Sequence, residues 1–223
     1  MDDSELIRKR GLFEKSIFSE SYLEGQRAVR RHAILIGKLT FLWNAVHAEL
    51  LLLFIQIAGE KSQGNIDPVL PSRIWHDTGS DSAQRALFLV FAELKLAKKP
   101  ELLDLAKWAV VELNALATYR NDAMHSAFEI RIKRGETNAF STPSVRAVQQ
   151  NRLNRLNSVG HRKLFRAVIH DLFRIGSLIW EILSRLDAPP FVRDLQPLPD
   201  KPVMRARALV EKSPRSNDRQ ENP

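Results

Sequence analysis

Apolar residues recur every three or four positions in four long stretches of the chain, the spacing of helices that bury one face. In the first, Ser21-Tyr22-Leu23-Glu24 reads as a capping box. Ile34, Leu35, Leu39, Leu42, Trp43, Val46, Leu50, Leu53, Phe54 and Ile57 then carry the pattern to a stop at Gly59, with a break expected near Gly37. Residues 60–72, rich in Gly, Asn, Asp and Pro, read as a loop. A short helix is predicted over Ser72–His76 and a turn over Asp77–Asp81. A second long helix is predicted over 82–97, with Leu87, Val90, Phe91 and Leu94 inward. A third opens at Pro100, where a missing amide costs nothing, and runs to about His125. The period then changes. Phe128, Ile130 and Ile132 alternate with Glu129, Arg131 and Lys133, which predicts a strand turning at Gly135-Glu136 and returning over 138–141. The fourth helix is predicted over 162–186, with Leu164, Phe165, Val168, Leu172, Phe173, Ile175, Ile179, Trp180 and Leu183 facing the core. From Pro189 onward lie seven of the eleven prolines, so 189–223 reads as a disordered, charged tail. The division is an N-terminal segment (1–20), a helical domain (21–188) and that tail.

Composition narrows this picture. The chain has 223 residues, 44% of them hydrophobic, enough for one packed core. With no cysteine, disulfides, thiolate metal sites and cysteine nucleophiles are excluded. The first twenty residues are charged and lack the apolar core of a secretory leader. Asn44, His47, Glu49 and Gln56 interrupt the most apolar run, which therefore reads as a buried helix and not a membrane span. A cytoplasmic, soluble protein is expected. The net charge is +8, and segment 131–174 holds ten Lys or Arg against two acids, an excess as large as that of the whole chain. Such a block draws in polyanions, or is simply a solvated face.

The chemistry gathers at the end of the third helix, in Tyr119-Arg120-Asn121-Asp122-Ala123-Met124-His125-Ser126. A histidine titrating near neutral pH can take the proton of a ribose 2′-hydroxyl. A permanently charged guanidinium can hold the phosphate and stabilise added charge. An asparagine can fix the histidine or donate to a phosphate oxygen, and no metal or cofactor is needed. Asn121 and His125 share a helix face, whereas Arg120 and His125 are separated by about 140° and ~7.5 Å on a straight helix. Either the helix unwinds at His125, or two copies meet so that one chain's arginine serves beside the other's histidine. The plainer alternative is that Arg120 and His125 cap carbonyls and Asn121 satisfies the backbone.

The segment Arg120-Asn121-x-x-x-His125 resembles the HEPN superfamily (higher eukaryotes and prokaryotes nucleotide-binding). That family is marked by an arginine, commonly followed directly by asparagine, and a histidine a few residues on. The resemblance covers roughly Tyr22 to Leu186, though only the motif is sharp. It implies an all-α, HEPN-like helical bundle, to which this chain adds a short β-hairpin or extended insertion after the motif helix and a tail that the minimal bundle does not need. It implies a metal-independent endoribonuclease leaving 2′,3′-cyclic phosphates and acting as a homodimer. The usual settings are RNA processing, phage defence or toxin–antitoxin pairs, with an antitoxin or regulatory protein as partner. Relatives paired with a nucleotidyltransferase antitoxin often carry tyrosine two residues after the histidine. Here that position is Ala127, so the resemblance stops short of that modification.

Arg120, Asn121 and His125 are thus the expected catalytic residues. Arg131, Lys133, Arg134 and Arg85 are candidates for guiding RNA, and Glu49, Asp122 and Ser126 for support. Arg85 also reads as an exposed helix position, and Glu49 as either orienting Arg120 or lying on the wet side of its helix. Trp43, Trp108 and Trp180 read as core, while Trp75 beside His76 could stack a base or simply pack. His161 and His170 lack zinc-site spacing. No glycine-rich phosphate loop, nucleophile elbow or His-Glu-x-x-His is present. Against the ribonuclease stand a non-catalytic module that binds nucleotides, RNA or protein through the same bundle, and a purely structural helical adaptor.

Overall fold

The computed structural model describes residues 20–59, 61–62, 65–125, 128–132, 143–147, 160–187 and 199–211, with backbone alone at 20–25, 61–62, 65, 128–132, 143–147 and 187. They form an all-α bundle of α1 (Glu20–Ala58), α2 (Val69–Asp77), α3 (Asp81–Lys95), α4 (Pro100–His125), α5 (His161–Asp187) and α6 (Arg205–Glu211). Two short antiparallel pairs are added: β1 (Lys61–Ser62) with β2 (Asn65–Ile66), and β3 (Phe128–Ile132) with β4 (Pro143–Ala147).

The core is a seam between α1 and α5. Leu39, Val46, Leu50, Leu53 and Ile57 on α1 and Leu164, Phe165, Val168, Leu172, Ile175, Ile179 and Ile182 on α5 are buried in one core, while buried Trp43 and Phe54 of α1 meet Asp81 of α3 and Trp75 of α2. Both series step by three and four, so each helix keeps one face inward. Gly176 lets the two helices close up, because a Cβ there would lie 3.4 Å from the Val46 side chain and nearer still to the Glu49 carboxylate. Helix α4 packs on α5 and α1, and α3 packs on α1 and α4. α1 runs unbroken through Gly37, correcting the expected break. Its stretch Gln26–Ala58 is long and apolar enough to cross a membrane by length and composition, and its buried positions here form the seam.

Local chemistry fixes the ends. Ser80 caps α3, its Oγ accepting from the Ala83 amide at 3.2 Å. Gly160, at φ +80°, turns the chain into α5 in a conformation that favours glycine. α2 begins at Val69, earlier than the sequence predicts, because Asp67 Oδ1 accepts the Val69 amide at 2.9 Å and Pro71 sits in the first turn, where no amide is required. The β1–β2 pair also lies in the segment read as a loop. In the hairpin after α4, Phe128 pairs with Ala147 and Ile132 with Pro143. The return strand therefore comes later than 138–141, a stretch outside the described residues.

Three other expectations are corrected. Val90 and Leu94 are exposed, and α3 instead buries Arg85, Phe88 and Ala92. Apolar residues run nearly all round this helix, so periodicity alone does not select its buried face. Phe173 and Trp180 on α5 are likewise exposed. Finally, part of the tail folds. α6 docks on α5, where the fully buried Asp171 carboxylate accepts the backbone amides of Arg205 at 2.9 Å and Ala206 at 2.7 Å, capping α6 from a neighbouring helix. Lys201–Asp104 (2.6 Å) and the Arg174 bond to the Val203 carbonyl (3.2 Å) reinforce the docking.

Candidate functional site

Three helices each place a polar residue on their core-facing line at one level of the bundle. On α4 the line runs Ala109, Leu113, Leu116, then Arg120, then Ala123, so the arginine occupies what the period reserves for a core residue. On α3 it runs Arg85, Phe88, Ala92. On α1, His47 follows Trp43 at i+4. Arg120 and Arg85 are thereby directed inward, toward the indole of Trp43.

The resulting cluster is knit by directional bonds. Trp43 Nε1 donates to Asp81 Oδ2 at 2.9 Å. Arg85, only 3% exposed, donates from Nε to Asn114 Oδ1 at 2.7 Å and from Nη1 toward His47 Nε2 at 3.1 Å. Because a guanidinium only donates, His47 accepts at Nε2 and carries its proton at Nδ1, which is buried with no partner in bonding geometry. The guanidinium carbons of both Arg85 and Arg120 lie 5.6 Å from the Trp43 ring centroid, within cation–π range, and the His47 ring lies 5.0 Å from Trp43. Arg120 donates from Nη1 to Asn121 Oδ1 at 3.1 Å, while its Nε is buried and unpartnered.

Electrostatics follow from this packing. Burial pushes the His47 imidazole down to about 4, with the charges of Arg85 and Arg120 adding to the effect and Asp81 and Gln84 opposing it. His47 is therefore neutral at physiological pH. Burial pushes the Asp81 carboxyl up, but the Trp43 hydrogen bond, His47 and the two arginines outweigh it and hold it below the ordinary carboxylate value. Burial also lowers the Arg85 guanidinium, and the like charge of Arg120 lowers it further. The site thus holds two guanidinium charges against one carboxylate, on a low-dielectric floor.

The expected residues are distributed unevenly around this cluster. Arg120 is in it, with Asn121 at its exposed edge. His125 is the last residue of α4 and exposed, and α4 stays helical to that point. Asp122 is buried, at 2% exposure. Arg85 is a buried cluster member, which corrects its reading as an exposed position. Glu49 neither orients Arg120 nor faces water freely. It turns to α5, where Oε1 accepts from Trp180 Nε1 at 3.0 Å and Oε2 is buried without a partner. Trp75 packs on Phe54 in the core, centroids 5.3 Å apart, and offers no stacking surface. Arg131 lies on β3 with its side chain undescribed, and Ser126, Lys133 and Arg134 lie outside the described residues. His161 packs edge-on against His32 at 5.2 Å and is pushed down to about 4, chiefly by burial. Elsewhere, part of the basic block lines a groove of about 400 Å³ between α5 and α6, formed by Lys163, Arg166, Ala167, Arg205, Ala208 and Leu209.

Sequence reasoning missed Trp43, His47, Asp81 and Asn114 as site residues. A signal for them existed in the polar interruptions of the α1 run and in the i, i+4 pair Asp81/Arg85 at the start of α3. Comparison with known proteins finds no matching family model, no matching curated protein and no matching solved structure.

Proposed function

We propose that this protein is a metal-independent endoribonuclease of the HEPN kind, acting as a homodimer with Arg120, Asn121 and His125 as its catalytic residues. The observation that carries the reading is the Arg120 guanidinium. It sits on the inward line of α4, has no ion pair among the described residues, and leaves a buried N–H unmet. An inward-facing guanidinium that shares one carboxylate, Asp81, with a second arginine and leaves an N–H unmet is costly to a fold and useful to a phosphate-binding site. Because α4 remains helical through His125, the unwinding route is closed in this arrangement. That favours the alternative in which His125 of a second copy works beside Arg120. In this mechanism His125 removes the 2′-hydroxyl proton, and the oxygen attacks the adjacent phosphorus. Arg120 stabilises the charge on the phosphate, the P–O5′ bond breaks, and the 5′-oxygen leaves as a hydroxyl with a proton from solvent while a 2′,3′-cyclic phosphate remains. The basic segment 131–174 would draw RNA toward the site.

The same separation of Arg120 from His125 favours one competing reading, a binding module in which Arg120 clamps phosphate and His125 only caps α4. Purified protein incubated with mixed RNA in chelator separates the two. Cleavage leaving cyclic-phosphate ends, lost in Arg120→Ala and in His125→Ala, is expected. RNA binding without cleavage, unchanged in His125→Ala, would leave the binding module.

A further inference from the structure

The polar cluster has more cationic donors than its own acceptors use. Each guanidinium carries five N–H groups. Arg85 directs Nε to Asn114 and Nη1 to His47, so the Nη2 pair takes no part in these bonds. Arg120 leaves Nε buried and unmet. Among the described residues the carboxylate bonded in this cluster is Asp81, which already accepts at Oδ2 from Trp43, so the groups bonded together here carry two guanidinium charges against one carboxylate. Unpaired charge of this kind is costly inside a protein unless an anion offsets it.

We propose that Arg85, together with Arg120, forms a binding site for a phosphate group beside Trp43, and that His47 is the positioning residue that holds the Arg85 fork in place. The inference deepens the role given to Arg120 above and rests on that role; what it adds is Arg85, His47 and the class of ligand. Phosphate fits better than carboxylate. The two guanidiniums come from different helices, α3 and α4, and so need an anion with acceptors on more than one side. A planar carboxylate matches one fork, whereas a tetrahedral phosphate can serve two. The single charge of a phosphodiester also matches the excess of one. His47 suits its task because it is neutral: an imidazolium would present a donor to Arg85 where an acceptor is required.

The phosphate could belong to an RNA chain or be free in solution, and two probes distinguish these sources. One is inorganic phosphate. The other is a 2′-O-methyl oligoribonucleotide, which lacks the attacking hydroxyl and stays intact. Both are titrated at fixed pH and ionic strength against the full-length protein, following heat and the ¹⁵N Nε–Hε resonances of the arginines. A saturable shift of the Arg120 Nε–H with either probe is expected, with affinity falling at least tenfold in Arg120→Gln. His47→Gln, which keeps an acceptor for Arg85, should bind within about twofold of wild type. His47→Leu should bind several-fold more weakly even where its unfolding midpoint is unchanged. Response to inorganic phosphate would show that the group alone suffices, and response to the oligonucleotide alone would assign the site to the chain. No shift of Arg120 with either probe, or affinity indifferent to Arg120→Gln, would overturn the proposal. His125→Ala keeps the ribonuclease reading separate, since it should abolish cleavage and leave this binding unchanged.

Discussion

His47 and Glu49 lie two residues apart on α1, both half-buried, and meet opposite fates. Glu49 faces the α1–α5 seam. It finds one donor, Trp180, beside Gly176, and burial raises its carboxyl above the ordinary value. His47 faces α3 and α4, where Arg85, Asp81, Asn114 and Trp43 form a connected network around it. Both are polar groups on an apolar helix, yet the first is an isolated clasp and the second belongs to a network drawn from three helices. What separates them is connectivity and residual charge. The Glu49 side ends in one hydrogen bond. The His47 side has two guanidiniums, one carboxylate and unmet donors, the arrangement on which the proposed phosphate site rests.

The contrast can be broken at its strongest point first. Arg85→Met keeps volume but removes both bonds at the centre of the network and leaves the buried Nε2 of His47 without a donor. A loss of about 2–3 kcal/mol is expected in chemical denaturation. Without the Arg85 charge the His47 pKa should also move up toward its ordinary value, which histidine NMR titration would follow.

Acid comes next. A histidine held at about 4 in the fold and near 6.5 when unfolded binds its proton more readily in the unfolded chain. Its contribution is therefore complete above about pH 6.5 and is lost as pH falls toward 4. Unfolding midpoints should drop across this window by the equivalent of roughly 2 kcal/mol for His47, with a smaller, solvent-screened share from His161. His47→Gln should flatten that slope. A slope unchanged in the variant would remove His47 from the buried network.

The smallest effect belongs to Glu49 and has the opposite sign. A carboxyl whose pKa is raised by folding costs stability above that raised value. Glu49→Gln, which keeps an acceptor for Trp180, should therefore stabilise the protein at neutral pH by about 1 kcal/mol or less, given solvent screening. The difference should vanish below the unfolded pKa, near 4.5. Destabilisation by Glu49→Gln at pH 7 would mean that the two sides of α1 do not differ as described.

The four long helices were legible in the sequence because their apolar spacing is helical and their ends carry chemistry, such as Pro100 at the start of α4. The faces were less legible. α3 carries apolar residues from Leu87 to Phe91 without a gap, so its inward line, Arg85–Phe88–Ala92, emerges only when α1 and α4 are in place. α6 was hidden for a related reason. Prolines and charges dominate its surroundings, and its cap, Asp171, comes from α5, thirty-four residues before Arg205. At the site, Arg120 and Asn121 stood out as a polar break closing an apolar helix. His47, Asp81 and Asn114 did not, since each is an ordinary polar residue until three helices bring them around one indole.

The central claim is that Arg120 and His125 of different copies complete one site, and a mixing experiment tests it directly. Arg120→Ala and His125→Ala proteins are each assayed alone on RNA in chelator, then mixed, allowed to exchange subunits and assayed again. If sites form across two copies, each mixed dimer holds one site with both residues intact. The account expects two inactive proteins that regain cleavage on mixing, approaching one quarter of wild-type activity as exchange reaches an even distribution, since about half the dimers are then mixed and each has one of two sites. Two variants that dimerise and exchange, yet remain inactive together while wild type cleaves, would contradict it.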